Sequence, residues 1–152
     1  MRPMSRRLTL PDLLILAGAG AYLGLSVAEG WFRVPATRQL GLELPEVRFD
    51  GWAAAATGAA AVAAAAAVAW VLLRLARGRP MGGSLDGFLA SLGVILTALA
   101  TVLPPRTAGP RPSPGGLLAA GGLAALLWAL GGLLRWRGQA RDPAGASGFG
   151  HP

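Results

Sequence analysis

The sequence predicts an all-α fold, a four-helix transmembrane bundle with a short β-hairpin in its first outer loop. Hydrophobic residues make up 53% of the 152 residues and charged residues only 14%, whereas soluble domains carry about 25% charged residues. The charges are clustered, and four almost uncharged runs separate the clusters. Each run is close to the roughly 20 apolar residues that a membrane-crossing helix needs.

The four helices are expected at about 10–31, 51–76, 86–103 and 115–136. Thr9 is predicted as the N-cap of the first helix, with an acid three residues later. Asp50, Ser84 and the Ser113-Pro114 pair stand before the other three, in positions typical of helix starts. Residues 1–137 therefore form one membrane domain, and the polar tail 138–152 is expected to be disordered.

Most of the charges near the helices have a ready structural explanation. Asp12 and Asp86 fall at helix starts, where an acid satisfies free N–H groups and the helix dipole. Arg74 and Arg135 fall at helix ends, where a long side chain can reach the membrane interface. The sequence therefore predicts no buried charge at mid-depth. Only Glu29 is left as a candidate functional carboxylate, either binding a proton or cation or capped at the interface beside Arg33.

The arginines predict the orientation. The chain has no lysine, and its arginines flank the hydrophobic runs, so membrane topology explains the basic charge better than nucleic-acid binding does. Nine arginines fall on the side of the termini and five on the other side. The positive-inside rule then places both termini in the cytoplasm of a multi-pass protein of the bacterial inner membrane. A cleaved signal peptide ending near Ala28 is the alternative interpretation of the first run.

Small residues mark the expected helix contacts. The second run is mostly alanine, which is poor at facing lipid but lets backbones approach closely, so this helix is expected in the middle of the bundle. Packing within the chain, or in a homodimer, is expected at five small residues: Gly20, Gly24, Gly58, Gly121 and Ala125. Trp31, Trp52 and Trp136 lie near run ends and are expected to form an interfacial belt.

The first outer loop alternates apolar and polar residues over 40–49. Leu40, Leu42 and Leu44 form the first apolar set, and Val47 and Phe49 form the second. Period two is typical of β-strands, and Pro45-Glu46 is expected to be the turn between them. The apolar face would need the membrane surface, the bundle or a partner protein, because a lone hairpin is marginal in water. An irregular loop resting on the bundle is the alternative.

The composition argues against catalysis. There is no cysteine, and the one histidine is His151, next to the end of the chain. No phosphate-binding glycine loop, paired-carboxylate site or haem-ligating histidine is present in the sequence. We therefore expect no enzyme activity, no metal and no cofactor.

Three features resemble the small four-span membrane proteins of actinobacteria. They are the Glu29-Gly30-Trp31-Phe32 helix exit, the Asp50-Gly51-Trp52 re-entry, and the Ala/Leu/Gly-rich pair of later helices. The resemblance covers most of the chain but implies no catalytic or binding residues.

Three roles follow from the sequence as hypotheses. The first is a structural or accessory subunit that binds a membrane-protein partner or itself through small-residue helix faces and the outer loop. The second is a small transporter or channel component that uses Glu29. The third is a sensor whose outer loop binds an extracytoplasmic ligand.

Overall fold

Four helices and five short strands make up the computed structural model, which describes residues 8–39, 41–77, 84–107 and 110–140. The helices are α1 (Leu10–Ser26), α2 (Ala55–Arg77), α3 (Ser84–Val102) and α4 (Gly116–Ala140). By length and composition, α2, α3 and α4 could each cross a membrane, while the equally apolar α1 has 17 residues. The four-helix fold is confirmed. Residues 138–140, expected as the start of the disordered tail, belong to α4 instead, and the rest of the predicted tail lies outside the described residues.

The helices form a ring in which each packs mainly against two neighbours. Helix α1 lies between α2 and α4, and α3 lies between the same two on the opposite side. The expectation that α2 occupies the middle is wrong, because Ala59, Val62 and Ala66 on its outer face are exposed. Four helices around one core leave no central position, so even an alanine-rich helix keeps one face outside.

Trp128 of α4 fills the middle of the bundle. It is fully buried, and its ring lies over Gly93 of α3 so closely that an added Cβ there would overlap it. Its backbone packs in the same way against Gly18 of α1. Two glycines on neighbouring helices therefore provide the space that this large residue occupies, and Trp128 in turn fixes the distances between three helices.

Trp31 is buried between the helices at the end of the bundle that carries the sheet. The expected interfacial position is wrong, since Trp31 is fully buried. Its indole N–H donates to the Leu25 carbonyl at 2.6 Å, its ring meets that of Tyr22 edge-on at 5.3 Å, and Gly121 of α4 makes room for it. Helix α1 ends at Ser26 rather than near Trp31, and Gly30, with φ of 116°, turns the chain so that Trp31 points back into the core.

Between α1 and α2 the chain forms one long hairpin, residues 32–49. Strand β1 (Phe32–Val34) pairs with β4 (Val47–Phe49), and β2 (Thr37–Gln39) pairs with β3 (Leu42–Leu44), both antiparallel. The two ladders share one register and are interrupted where Pro35 and Pro45 remove backbone donors. A fifth strand, β5 (Ser113–Pro114), precedes α4 and pairs with the free side of β1.

The structure corrects the turn within this hairpin. A turn at Pro45-Glu46 would pair β3 with β4, but β3 pairs with β2 and the chain reverses at Gly41, where φ is 82°. Gly41 can adopt this left-handed conformation without steric cost. Pro45 instead interrupts the outgoing strand. The expected β-structure is therefore present in this loop, whereas the expected pairing of its strands is wrong.

We expect Gly93→Ala to destabilise the bundle, because the added Cβ would overlap the Trp128 ring. Overpacking of this kind costs about 1–3 kcal/mol. Thermal unfolding in detergent measures the effect. Gly87→Ala is the matched control, since it lies on the same helix with no atom within 4 Å of the added Cβ. Equal melting temperatures for the two variants would contradict this packing.

Candidate functional site

Four charged residues meet at the end of the bundle opposite the sheet, one from each helix. They are Asp12 of α1, Arg74 of α2, Asp86 of α3 and Arg135 of α4, called the buried cluster below. The helices alternate in direction, so the starts of α1 and α3 lie beside the last turns of α2 and α4. Each acid at a helix start therefore faces an arginine at a helix end.

Arg74 is the centre of the buried cluster. One terminal nitrogen, Nη1, donates to Asp86 Oδ2 at 2.5 Å, and the other, Nη2, donates to Asp12 Oδ1. All three side chains are at most 5% exposed. A guanidinium suits this position because its planar fork can hold two carboxylates at once.

Asp12 has the fuller set of partners. Its Oδ2 accepts from the Thr9 hydroxyl at 2.5 Å and from the Thr9 backbone N–H at 3.2 Å. Its Oδ1 also accepts from Arg135 Nη1 at 3.2 Å. Asp86 Oδ1, in contrast, has no hydrogen-bond partner among the described residues. Asp12 is thus both the predicted partner of the Thr9 N-cap and the ionic link from α1 to α2 and α4.

The expectation that no charge is buried at mid-depth is not contradicted, because the buried cluster lies at one end of the bundle, but the expected position of Arg74 is wrong. Arg74 was expected to reach the interface, yet it is 4% exposed. A signal for this was present in the sequence: Ala60, Ala64, Ala67, Val71 and Arg74 recur at alternating steps of four and three, which is the spacing of one helix face. That face is buried throughout, so Arg74 points inward, and the acids of the facing helices neutralise it.

The ion pairs of the buried cluster connect the four helices to one another. Its two arginines and two aspartates have no net charge, so each charge removed from water is opposed by another within hydrogen-bond distance. No group of three or more potential metal-ligating side chains occurs in the described part of the chain. The arrangement holds four helix ends together and presents no free carboxylate to solvent.

Glu29 lies at the sheet end of the bundle, three residues beyond the end of α1, and it is exposed. It lines a cavity of about 300 Å³ together with Arg33, Glu46 and Arg48. Arg48 donates to Glu46 at 2.8 Å, and that hydrogen bond, with the negative charges of Glu46 and Glu29, raises the pKa of Arg48. Glu29 therefore belongs to a mixed group of surface charges.

The apolar residues of the hairpin divide into two groups. Phe49 at the base is half-buried and packs against the core of the bundle. Leu42 and Leu44 on β3 are 70% and 47% exposed, and Val47 is 45% exposed. Leu40 lies outside the described residues. The hairpin is thus anchored at its base and carries apolar side chains exposed at its tip.

The predicted helix-packing residues also divide. Gly121 lies against the Trp31 ring, and Ala125 is buried. A Cβ added at Gly58 would lie 3.5 Å from the Trp52 ring, which is ordinary van der Waals contact. Gly20 and Gly24 are exposed, and a Cβ at either would meet no atom within 4 Å. Gly20 and Gly24 therefore face away from the other described helices, and their role between chains stays a prediction.

We expect Arg74→Met to destabilise the protein strongly, because it leaves Asp12 and Asp86 buried without their shared cation. Removing one partner from a buried ion pair costs about 3–5 kcal/mol. Arg77→Met, one turn further along α2 and exposed, is the control and should behave like the wild type. Unfolding in detergent followed by circular dichroism gives the comparison.

The same measurement ranks the two aspartates. Asp12→Asn should cost more than Asp86→Asn, since Asp12 holds two arginines and Asp86 one. A larger loss for Asp86→Asn would mean that Arg74 depends mainly on α3.

No family model matches the chain, and neither a curated protein nor a solved structure matches it. A function for this chain has to follow from its own charges, contacts and exposed surfaces.

Proposed function

We propose that this chain is a four-span integral membrane protein whose function is association: a structural or accessory subunit that binds its partner through the long hairpin. The observation that carries the proposal is the exposure of Leu42 and Leu44 on a hairpin that is fixed firmly to the bundle. Apolar residues exposed on an ordered strand are typical of an interaction surface.

The helix lengths support insertion into a membrane. Helices α2, α3 and α4 have the length and hydropathy of membrane spans. Helix α1 is about 26 Å long at 1.5 Å per residue, close to the roughly 30 Å of a hydrocarbon core. It packs between α2 and α4, so it would occupy the same depth as those two helices. We therefore expect all four helices to cross the membrane.

The arginine distribution supports an orientation with the buried cluster at the cytoplasmic side and the sheet outside. Nine arginines of the sequence lie before α1, after α4, in the α2–α3 connection or in the last two turns of α2 and α4, and five belong to the two loops at the sheet end. In a bacterial cell this places a multi-pass protein in the cytoplasmic membrane with both termini inside.

The placement of the carboxylates favours association over transport. A proton- or cation-coupled transporter generally uses a carboxylate within the membrane that can change its occupancy. Asp12 and Asp86 are each bonded to Arg74, and Glu29 is exposed beyond the end of α1. These acids serve as structural ties and surface charges, which leaves the hairpin as the part of the chain available to a partner.

The hairpin is also preorganised. The Gly30 N–H donates to the Phe49 carbonyl at 3.0 Å, and the Gly51 N–H donates to the Ser26 carbonyl at 2.9 Å. Strand β5 adds a second attachment from the other loop. A surface that is ordered before binding loses little conformational entropy when a partner docks.

We expect purification from native membranes in mild detergent to recover this chain with a stoichiometric partner, either another membrane protein or a second copy. The double variant Leu42→Asp/Leu44→Asp should lose that partner while keeping the wild-type melting temperature, because both side chains are exposed. Leu103→Asp is the matched control, a similarly exposed leucine (55%) outside the hairpin. Recovery of the wild type only as a free monomer would contradict the proposal.

Reporter fusions test the orientation. An alkaline phosphatase fused after Gly41 should be active, because that enzyme folds only outside the cytoplasm, and a green fluorescent protein fused after residue 152 should fluoresce. An inactive phosphatase at Gly41 would overturn the placement of the sheet outside the cell.

A further inference from the structure

The tip of the hairpin has two open edges. Among the described residues, strands β2 and β3 form a two-stranded sheet, so each pairs on one side only and leaves backbone N–H and C=O groups unpaired on the other. At the base, β1 is covered on both sides by β4 and β5. Open edges of this kind are templates for pairing with another strand, and here one of the two strands, β3, also carries exposed leucines.

The two open edges carry opposite charges. Arg38 is the middle residue of β2 and Glu43 the middle residue of β3, and they face each other across the ladder. Their Nε and Oε1 atoms are 3.9 Å apart, and the side chains are 74% and 82% exposed. Because both charges remain largely in water, each can also attract an opposite charge on the outer side of its strand.

Membrane insertion restricts how two copies can meet. Copies inserted with the same topology and related by translation have parallel hairpins, so β2 of one runs opposite to β3 of its neighbour. That is the antiparallel arrangement which β2 and β3 already form within one chain. Repeated between copies in the same register, it places Glu43 opposite the neighbour's Arg38 and Leu44 beside the neighbour's Thr37.

The charges disfavour the two-fold alternatives. Pairing β3 with β3 of a second copy would bring two Glu43 side chains together at the centre of the contact, and pairing β2 with β2 would do the same for Arg38. Like charges directly opposite each other destabilise a strand pair. Only the β3-to-β2 contact places unlike charges in register.

We infer that the hairpin tip binds the hairpin tip of a second copy of this chain, with β3 of one copy beside β2 of the next. The inference rests on the proposed function, because it requires that the chain lie in a membrane with the sheet outside. The contact is heterologous, so each copy keeps one free edge and further copies can add to form rows or closed rings. The partner class is thus this protein itself.

Single cysteines test the contact, because the chain contains none of its own. Two differently tagged copies, one with Arg38→Cys and the other with Glu43→Cys, are expressed together and oxidised mildly in membranes. Cross-strand neighbours lie within the Cα separation that a disulfide allows. We expect mixed-tag dimers severalfold above the disulfide-linked dimers that form in cells expressing either single variant alone.

A matched control measures random collisions. Arg106→Cys, on the other loop of the sheet end and also exposed, replaces Arg38→Cys in the same pairing with Glu43→Cys. Mixed dimers no more abundant than in this control would overturn the inference.

Charge reversal gives a second readout without cysteines. Energy transfer between fluorescent C-terminal fusions reports self-association in the membrane. Arg38→Glu should weaken association by up to about fivefold, the usual range for a single cross-strand charge pair. The double variant Arg38→Glu/Glu43→Arg should restore it, since the swapped charges again face each other. Failure of the double variant to recover would count against pairing between these two residues.

The two proposals fail separately. If cross-linking stays at the control level while Leu42→Asp/Leu44→Asp still releases a different co-purifying protein, the hairpin binds that protein and self-pairing is wrong. If wild-type protein has no partner of either kind, both proposals are wrong.

Discussion

The guanidinium of Arg74 fixes the arrangement of the bundle at one end. A charge buried among helices must be neutralised nearby, since burying an unpaired ion costs several kcal/mol. Asp12 and Asp86 meet this requirement from the starts of α1 and α3, and Arg135 joins α4 to Asp12. Each helix therefore has one residue whose height along the bundle is fixed. Because the helices are fixed relative to one another along the bundle axis, their small-residue faces can pack against the large side chains of neighbouring helices.

The rest of the core relies on large rings placed over glycines. Trp128 occupies the space left by Gly93, and Trp31 occupies the space left by Gly121. Each large ring must lie at the same position along the bundle axis as the glycine that it covers. The ion pairs of the buried cluster set these axial positions of the helices. The Trp31 contact also connects the bundle to the sheet, because the chain enters β1 at the next residue. The position of the hairpin thus depends on packing that begins at the opposite end.

This division between the two ends indicates where function lies. The ionisable groups of the buried cluster are committed to holding helices together, and the centre of the bundle is filled by rings and small residues. The sheet end carries the features that remain available: a preorganised hairpin, exposed leucines, and two strand edges with opposite charges. The proposed association with neighbours in the plane of a membrane relies on this rigid base beneath an exposed apolar tip.

The sequence by itself determined that four apolar helices form and that Thr9 caps the first, because hydrophobic runs and caps are local properties of the chain. Its period-two alternation favoured β-structure in the loop after α1 but left an irregular loop as the alternative. It did not determine which strands pair, since alternation gives the face of a residue and not its partner; Gly41 rather than Pro45 makes the turn. Only the tertiary structure decided that Arg74 and Trp31 point inward. For both, position along the chain suggested a membrane interface, while their direction and neighbours depend on how the helices rotate against one another, which no single segment specifies.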